Sequence, residues 1–158
     1  MISNGKELYI FLDDLFKPQG FVRKKDTYYR SSQDCIVFFS IGKSEFVGRY
    51  ESVMGGFYKK LLGEEVEFPK YFESHLRYGL ENFVDKSLVR RVFDLKNGEF
   101  RGNEREILIR EFFELYIIPF LKDVSTIDGI KESLRKYEGL TNRTTVDLKA
   151  ALGIPFEQ

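Results

Sequence analysis

The residues of this chain that could do chemistry are few, and the first of them form the triplet Gly42-Lys43-Ser44. Such a triplet is typical of the loop that binds nucleotide phosphates, but that loop also needs a glycine five residues earlier and a helix that begins at the lysine. Val37 occupies the earlier position, inside an apolar run that predicts a strand. The triplet therefore does not predict a nucleotide-binding loop.

A cysteine–histidine pair is the next candidate, because Cys35 and His75 are the only residues of their types. They would form a nucleophile and its base if their strands were neighbours. However, Cys35 begins an apolar run, where thiols are usually buried and inert, and one histidine with one cysteine falls short of a zinc-ligand set. The carboxylates, including Asp13 on the polar side of the first helix, have no spacing that favours a hydrolase. We predict no catalytic residue, no metal site and no cofactor.

Side chains suited to binding are more numerous than those suited to catalysis. Tyrosine and arginine are enriched at the strongest contact points of protein interfaces, and the predicted strands carry both. The candidate contacts are Tyr28, Arg30, Lys43, Ser44, Tyr50, His75 and Arg77. They predict a sheet face that holds a protein partner, unless helices cover that face and make it ordinary core. Alternatively, Lys43, His75 and Arg77 would surround a polar pocket for a small molecule or a substrate.

A basic hairpin over residues 23–30 is a further alternative. Its arginines and lysines are interleaved with Tyr28 and Tyr29, which is typical of proteins that bind single-stranded nucleic acid. However, the chain has 25 basic and 25 acidic residues, so no overall field attracts nucleic acid or acidic lipid. We therefore predict a protein partner rather than nucleic acid.

The elements that position these residues follow from the spacing of the apolar side chains. Residues 8–16 have helical spacing, after a cap at Ser3 or Asn4 and before a stop over residues 17–20. Strand patterns then cover residues 21–24, 27–31, 35–41, 46–58 and 74–80, with a polar turn over 63–65. Glycines in the fourth of these predict a bulge or a bend.

From residue 85 the apolar period becomes helical. Helices are predicted around residues 88–93, from a cap at Asn103 to a kink or end at Pro119, from residues 125–128 to Gly139, and over 145–152. Strands followed by helices indicate an α+β domain. We predict one domain over residues 1–158, with an N-terminal helix, an antiparallel sheet of about four to five strands, and several C-terminal helices packed on the sheet.

Nothing in the sequence predicts export or membrane insertion. No N-terminal segment combines a basic region with an apolar run of signal-peptide length. The longest apolar runs are far shorter than the roughly 20 residues of a membrane span, and a single cysteine excludes an internal disulfide. We predict a cytoplasmic protein.

Several short segments of the chain resemble a known family. They are Gly20-Phe21 after the first helix, Thr27-Tyr28-Tyr29-Arg30, the strand that ends in Lys43-Ser44, the later Arg77, and Ile117-Ile118-Pro119-Phe120. In content and order they resemble the bacterial domain-of-unknown-function family 4304, over most of the chain. The family has no assigned activity, so the resemblance implies no reaction.

These patterns together predict a small bacterial protein that binds a protein partner without catalysis. An immunity-type role, in which the partner is a toxin, is one version of this prediction, by analogy with small proteins of similar fold and size. Edge strands and an aromatic sheet face would also allow a homodimer.

Overall fold

A helix, a five-stranded antiparallel sheet and further helices follow one another along the chain in the computed structural model, which describes residues 1–63 and 66–154. The strands are β1 (Val22–Lys24), β2 (Thr27–Ser31), β3 (Cys35–Lys43), β4 (Tyr50–Tyr58) and β5 (Leu76–Tyr78), and they lie in that order. The helices are α1 (Gly5–Phe16), α2 (Lys86–Val92), α3 (Glu104–Phe112), α4 (Ile118–Asp123), α5 (Ile127–Lys136) and α6 (Val146–Ala151). The predicted α+β order is confirmed. Glu64 and Glu65 of the predicted turn, and residues 155–158 of the predicted domain, lie outside the described residues.

The first helix begins and ends where its sequence predicts. The Asn4 side chain accepts a hydrogen bond from the Glu7 backbone N–H at 2.9 Å, which caps the helix. A short 3₁₀ turn then ends at Gly20, whose φ of 86° is readily adopted by glycine. The buried stripe of α1 lies on the sheet, and its Phe16 ring stacks on Tyr28 with 4.3 Å between centroids.

Both faces of the central strand β3 are covered. Its alternate side chains enter two different clusters, because neighbouring residues of a strand face opposite sides. Cys35 and Phe39 lie in the main core, which the helices complete. Ile36 and Phe38 lie in a smaller cluster on the other face. That face is not open, since residues 66–75, which include a 3₁₀ turn over Tyr71–Glu73, cross it and pack Phe68 and Tyr71 against the cluster. We call residues 66–75 the covering segment.

The fourth strand is shorter and more regular than its sequence predicts. It begins at Tyr50, because residues 46–49 form a turn in which Gly48 has φ of 83°. Its pairing with β3 runs without interruption from Cys35↔Tyr58 to Lys43↔Tyr50, so the predicted bulge is wrong. Gly55 instead permits close approach: a Cβ atom there would lie 2.0 Å from the Leu76 carbonyl oxygen of β5.

Pro119 does not end the helix in which it lies. The chain stays helical from α3 through α4, but Phe113–Ile117, just before the proline, form a π-helical turn. Proline has no N–H to donate, and its ring crowds the carbonyl four residues earlier. A wider turn at that point accommodates both effects.

Candidate functional site

The structure does not bring Lys43, His75 and Arg77 into one pocket. Lys43 pairs with Tyr50 at one end of the β3–β4 pair, whereas the His75 imidazole bonds to Tyr58 at the other end. The strand between those tyrosines spans about 26 Å at 3.3 Å per residue. Arg77 pairs with a residue of β4 that faces the opposite side from Tyr50. The predicted arrangement of these three side chains is therefore wrong.

The imidazole of His75 has a structural role. Its Nδ1 accepts a hydrogen bond from the Tyr58 backbone N–H at 2.8 Å, and its ring packs edge-on against Phe57. Cys35 faces the main core on the other side of the sheet, and burial raises the pKa of its thiol to about 11. The two residues do not form a nucleophile–base pair.

His75 predicts a pH dependence of stability. Burial lowers the pKa of the folded imidazole below its ordinary value of 6.5, so the unfolded chain binds a proton at a higher pH than the folded chain. The free energy of unfolding is expected to be highest above about pH 6.5 and to fall as the pH decreases, by at most about 1.4 kcal/mol per pH unit, until the folded imidazole is also protonated. Denaturant titrations across this range measure the effect.

His75→Asn is the matched control for this measurement. The Asn Oδ1 lies where the imidazole Nδ1 lies and can accept the Tyr58 N–H bond, but it does not titrate. The difference between the two pH profiles isolates the histidine. Parallel profiles between about pH 7.5 and pH 5 would show that the folded pKa is not lowered.

The tyrosines of the basic hairpin are part of the core. Tyr28 is buried, and its hydroxyl donates to Asp13 Oδ1 at 2.7 Å, the oxygen that also accepts from Arg23 Nε at 2.8 Å. Burial would raise the pKa of Asp13, but these hydrogen bonds bring it below its usual value. Asp13 is therefore not on a solvated face. Tyr29 is buried on the opposite face of the sheet, so neither ring is available to stack on a base.

Arg30 is also occupied within the fold. Its guanidinium lies 4.8 Å from the centre of the Phe21 ring and donates to the Gln19 carbonyl oxygen at 3.1 Å. These contacts fix the chain where it leaves α1 for the sheet. The sequence identified Arg30 as a binding residue, whereas the structure gives it a local packing role.

A cleft of about 390 Å³ lies between the start of β4 and α2. Tyr50 is the predicted contact that lines it, and Lys43 and Ser44 flank it, because Lys43 pairs with Tyr50 and the Ser44 N–H donates to the Arg49 carbonyl. The full lining is Phe46, Arg49, Tyr50, Glu51, Ser52, Glu81, Lys86, Val89, Arg90 and Phe93. An adjoining depression of about 440 Å³ shares the basic residues and continues along α2. A larger depression lies beside Lys59 and Lys60. Its lining includes Gly63 and Val66, which flank positions 64 and 65, and those two positions are outside the described residues.

An apolar ridge stands beside this cleft. Its two side chains, Phe46 and Val47, are 53% and 77% exposed. The turn that carries them is fixed by backbone hydrogen bonds from Leu95 N–H to the Gly48 oxygen at 2.8 Å and from Arg49 N–H to the Phe46 oxygen at 3.1 Å. We call Phe46 and Val47 the 46–47 ridge. Contact by such a pair with another molecule would bury apolar surface at a small cost in conformational entropy, because the turn is already fixed.

The Arg49 side chain connects the ridge to α2. Its guanidinium carbon lies 4.8 Å from the centre of the Phe46 ring, and its Nε donates to Asp94 Oδ2 at 3.3 Å. Arg49 and Asp94 also pair through their backbones. The turn before β4 and the turn after α2 are therefore one unit.

Arg105 fixes that unit from within the protein, and sequence reasoning overlooked it. The side chain is 5% exposed and donates to three carbonyl oxygens at 2.8–2.9 Å, those of Val92, Asp94 and Asn97. The first is at the end of α2 and the others follow it. The spacing of the sequence did indicate burial of Arg105, because the residue shares one helical stripe with Ile109 and Phe112, which are both buried.

The charges of the cleft are unevenly paired. In the cleft Arg49 pairs with Asp94, and Arg91, in the adjoining depression, pairs with Glu99. Lys86 and Arg90 have no carboxylate within 4.0 Å in residues 1–63 and 66–154. The cleft can therefore hold an anionic group beside an apolar surface. In the same part of the chain no group of His, Cys, Asp and Glu residues is placed to hold a metal ion.

None of the helices that the structure describes is long and apolar enough to cross a membrane. Neither a curated protein nor a solved structure matches the chain. A family model with the description "Domain of unknown function (DUF4304)" matches residues 12–123. That stretch includes the whole sheet, the 46–47 ridge, α2 and Arg105. The match covers most of the chain and agrees with the resemblance found in the sequence, and the chain therefore belongs to the DUF4304 family.

Proposed function

We propose that this protein is a non-enzymatic, cytoplasmic binding protein that holds a protein partner against the 46–47 ridge and the neighbouring cleft. The observation that carries the proposal is the ridge itself, an exposed Phe–Val pair on a turn that is fixed on both sides. The ridge differs from the other exposed apolar side chains of the described residues because it adjoins this cleft, to whose lining Phe46 itself belongs. A rigid contact loses little conformational entropy on binding.

The positions of the reactive side chains also favour binding over catalysis. The Cys35 thiol is buried and its pKa is raised to about 11, and the His75 imidazole is bonded to the backbone of Tyr58. Neither lines the cleft. An immunity-type role is the specific form of this proposal that predicts a tight, stoichiometric complex with one toxin.

The cleft gives a second candidate, a small-molecule site. Its volume of about 390 Å³ lies within the range of ligand pockets, and its lining combines charged and apolar groups. The predicted homodimer has less support. β1 and β5 have three residues each, and Thr144 bridges the outer edge of β5.

The test of the proposal is a ridge variant, Phe46→Ser with Val47→Ser. A photo-reactive amino acid at position 47 first identifies the partner by crosslinking in cells of the source organism. Binding of that purified partner to the ridge variant is expected to be at least about 30-fold weaker, because an aromatic interface anchor contributes about 2 kcal/mol or more. Calorimetry of the purified pair measures the affinity.

The chain offers a matched control, Phe72→Ser with Val146→Ser. These side chains are 56% and 57% exposed and lie outside the cleft. The control is expected to keep wild-type affinity. Equal losses in both variants, or crosslinks at position 47 no more specific than those at position 72, would reject the proposal. A small molecule that co-purifies with the protein and is lost in the ridge variant would favour the second candidate.

A further inference from the structure

Two cations of α2 have no ion-pair partner in the part of the chain that the structure describes, although Arg90, in the last turn, is favoured by the helix dipole. Lys86 and Arg90 are one helical turn apart, both are exposed, and both line the cleft. Like charges at this spacing repel and destabilise a helix by about 0.2–0.5 kcal/mol. Lys86 is also the first residue of α2, where the partial positive charge of the helix end disfavours a cation. Neither charge has an ion-pair partner within the described parts of the chain.

Of the carboxylates nearby, two are occupied and two line the cleft. Asp85 accepts a hydrogen bond from the Leu88 backbone N–H at 3.2 Å and caps α2. Asp94 accepts from the Arg49 side chain. Glu81, whose carboxylate lies close over Gly79, and Glu51, which is exposed on β4, both line the cleft. Neither forms an ion pair with Lys86 or Arg90 in the described residues. The α2 wall therefore presents two unpaired cations to whatever occupies the cleft.

Apolar side chains line the same cleft as those cations. Val89 is on α2 between Lys86 and Arg90, and Phe93 follows the helix. The Phe46 ring of the ridge forms part of the same lining. A charged ligand without an apolar group would make no contact with these apolar side chains. A purely apolar ligand would leave Lys86 and Arg90 without a negative charge opposite them.

The geometry points to an acidic peptide segment of the partner as the occupant of the cleft, with its carboxylates against Lys86 and Arg90 and an apolar side chain against Phe46 and Phe93. This inference rests on the proposed function and specifies the chemistry of the partner. Anionic groups would relieve the repulsion between the two cations, so the interaction is expected to weaken as salt is added.

Selection from a library of random short peptides tests the inference even while the natural partner is unidentified. The enriched peptides are expected to be acidic and to contain an aromatic or aliphatic residue. They are then measured against Lys86→Glu with Arg90→Glu, and against the ridge variant. The charge variant is expected to lower their affinity at least about tenfold, mainly through slower association, and high salt is expected to lower wild-type binding similarly.

The matched control is Lys131→Glu with Arg135→Glu. These cations have the same spacing on α5 and are also exposed, so the change in net charge is identical. Acidic peptides that bind the control normally and the charge variant weakly support the inference. Basic or neutral peptides that need the ridge but tolerate the charge variant overturn the inference and leave the proposed function in place. No enrichment, or binding that is equal in all variants, overturns both.

Discussion

Replacement of Arg105 by alanine is expected to lower the free energy of unfolding by about 3–5 kcal/mol, because several buried carbonyl oxygens lose their donor at once. The guanidinium is almost fully buried, and burial lowers its pKa below the ordinary value. Its hydrogen bonds to the carbonyls of Val92, Asp94 and Asn97 would be lost together. Each buried oxygen without a donor costs roughly 1–3 kcal/mol before relaxation.

Denaturant unfolding with a spectroscopic readout measures this loss. Arg105→Lys is expected to fall between wild type and alanine, because an ammonium has the charge but not the planar fork that reaches several carbonyls. Arg101→Ala is the control, since Arg101 is exposed and precedes the same helix, and it is expected to change stability by less than about 0.5 kcal/mol. A loss below about 1 kcal/mol for Arg105→Ala would show that the network does not fix the region around α2.

The second large effect is expected at Gly55, where alanine should lower the free energy of unfolding by about 3 kcal/mol. The added Cβ would lie 2.0 Å from the Leu76 carbonyl oxygen, an atom of the β5 backbone that cannot rotate away. Relief requires β5 to move from β4, which disturbs pairs such as Met54↔Tyr78. The strand backbone at Gly55 does not have positive φ, so the contact alone causes the loss.

Gly98→Ala is the matched substitution for this experiment. No atom lies within 4 Å of a Cβ built there, and its φ is also not positive. Alanine at position 98 is expected to leave stability unchanged or to raise it by up to about 1 kcal/mol through a less flexible unfolded chain. Equal unfolding midpoints for the two variants would mean that β4 and β5 separate without cost.

The sequence was sufficient to predict those elements of the fold that local patterns determine. The period of the apolar residues predicts α1, and the Asn4 side chain caps it as expected. The turn at residues 25–26 and the apolar run of β3 likewise indicate the hairpin and the centre of the sheet. These elements depend on neighbours within a few residues, which a single sequence displays.

The candidate site depends on contacts between distant segments. Phe46 and Val47 continue the apolar pattern of a strand, but the bond between Leu95 and Gly48 holds them in a turn. The separation of Lys43 from His75 could have been inferred: in a run of antiparallel strands, the end of β3 lies beside the start of β4, and β5 begins at the other end. The sequence alone did not specify which segment covers the second sheet face.

The cluster under the covering segment has far fewer buried side chains than the main core on the other face of the sheet. This difference has a consequence for the lifetime of the protein. The interactions that hold the covering segment include the hydrogen bonds of the Tyr29 hydroxyl to the Pro69 oxygen at 2.7 Å and of the His75 N–H to the Gly56 oxygen at 3.1 Å, and the apolar packing of that smaller cluster. Its release exposes Phe38 while α1 stays packed on the opposite face. Such partial opening requires less free energy than global unfolding. Proteases that act on partly opened chains would then meet this side first, so the rate of turnover depends on the covering segment rather than on the main core.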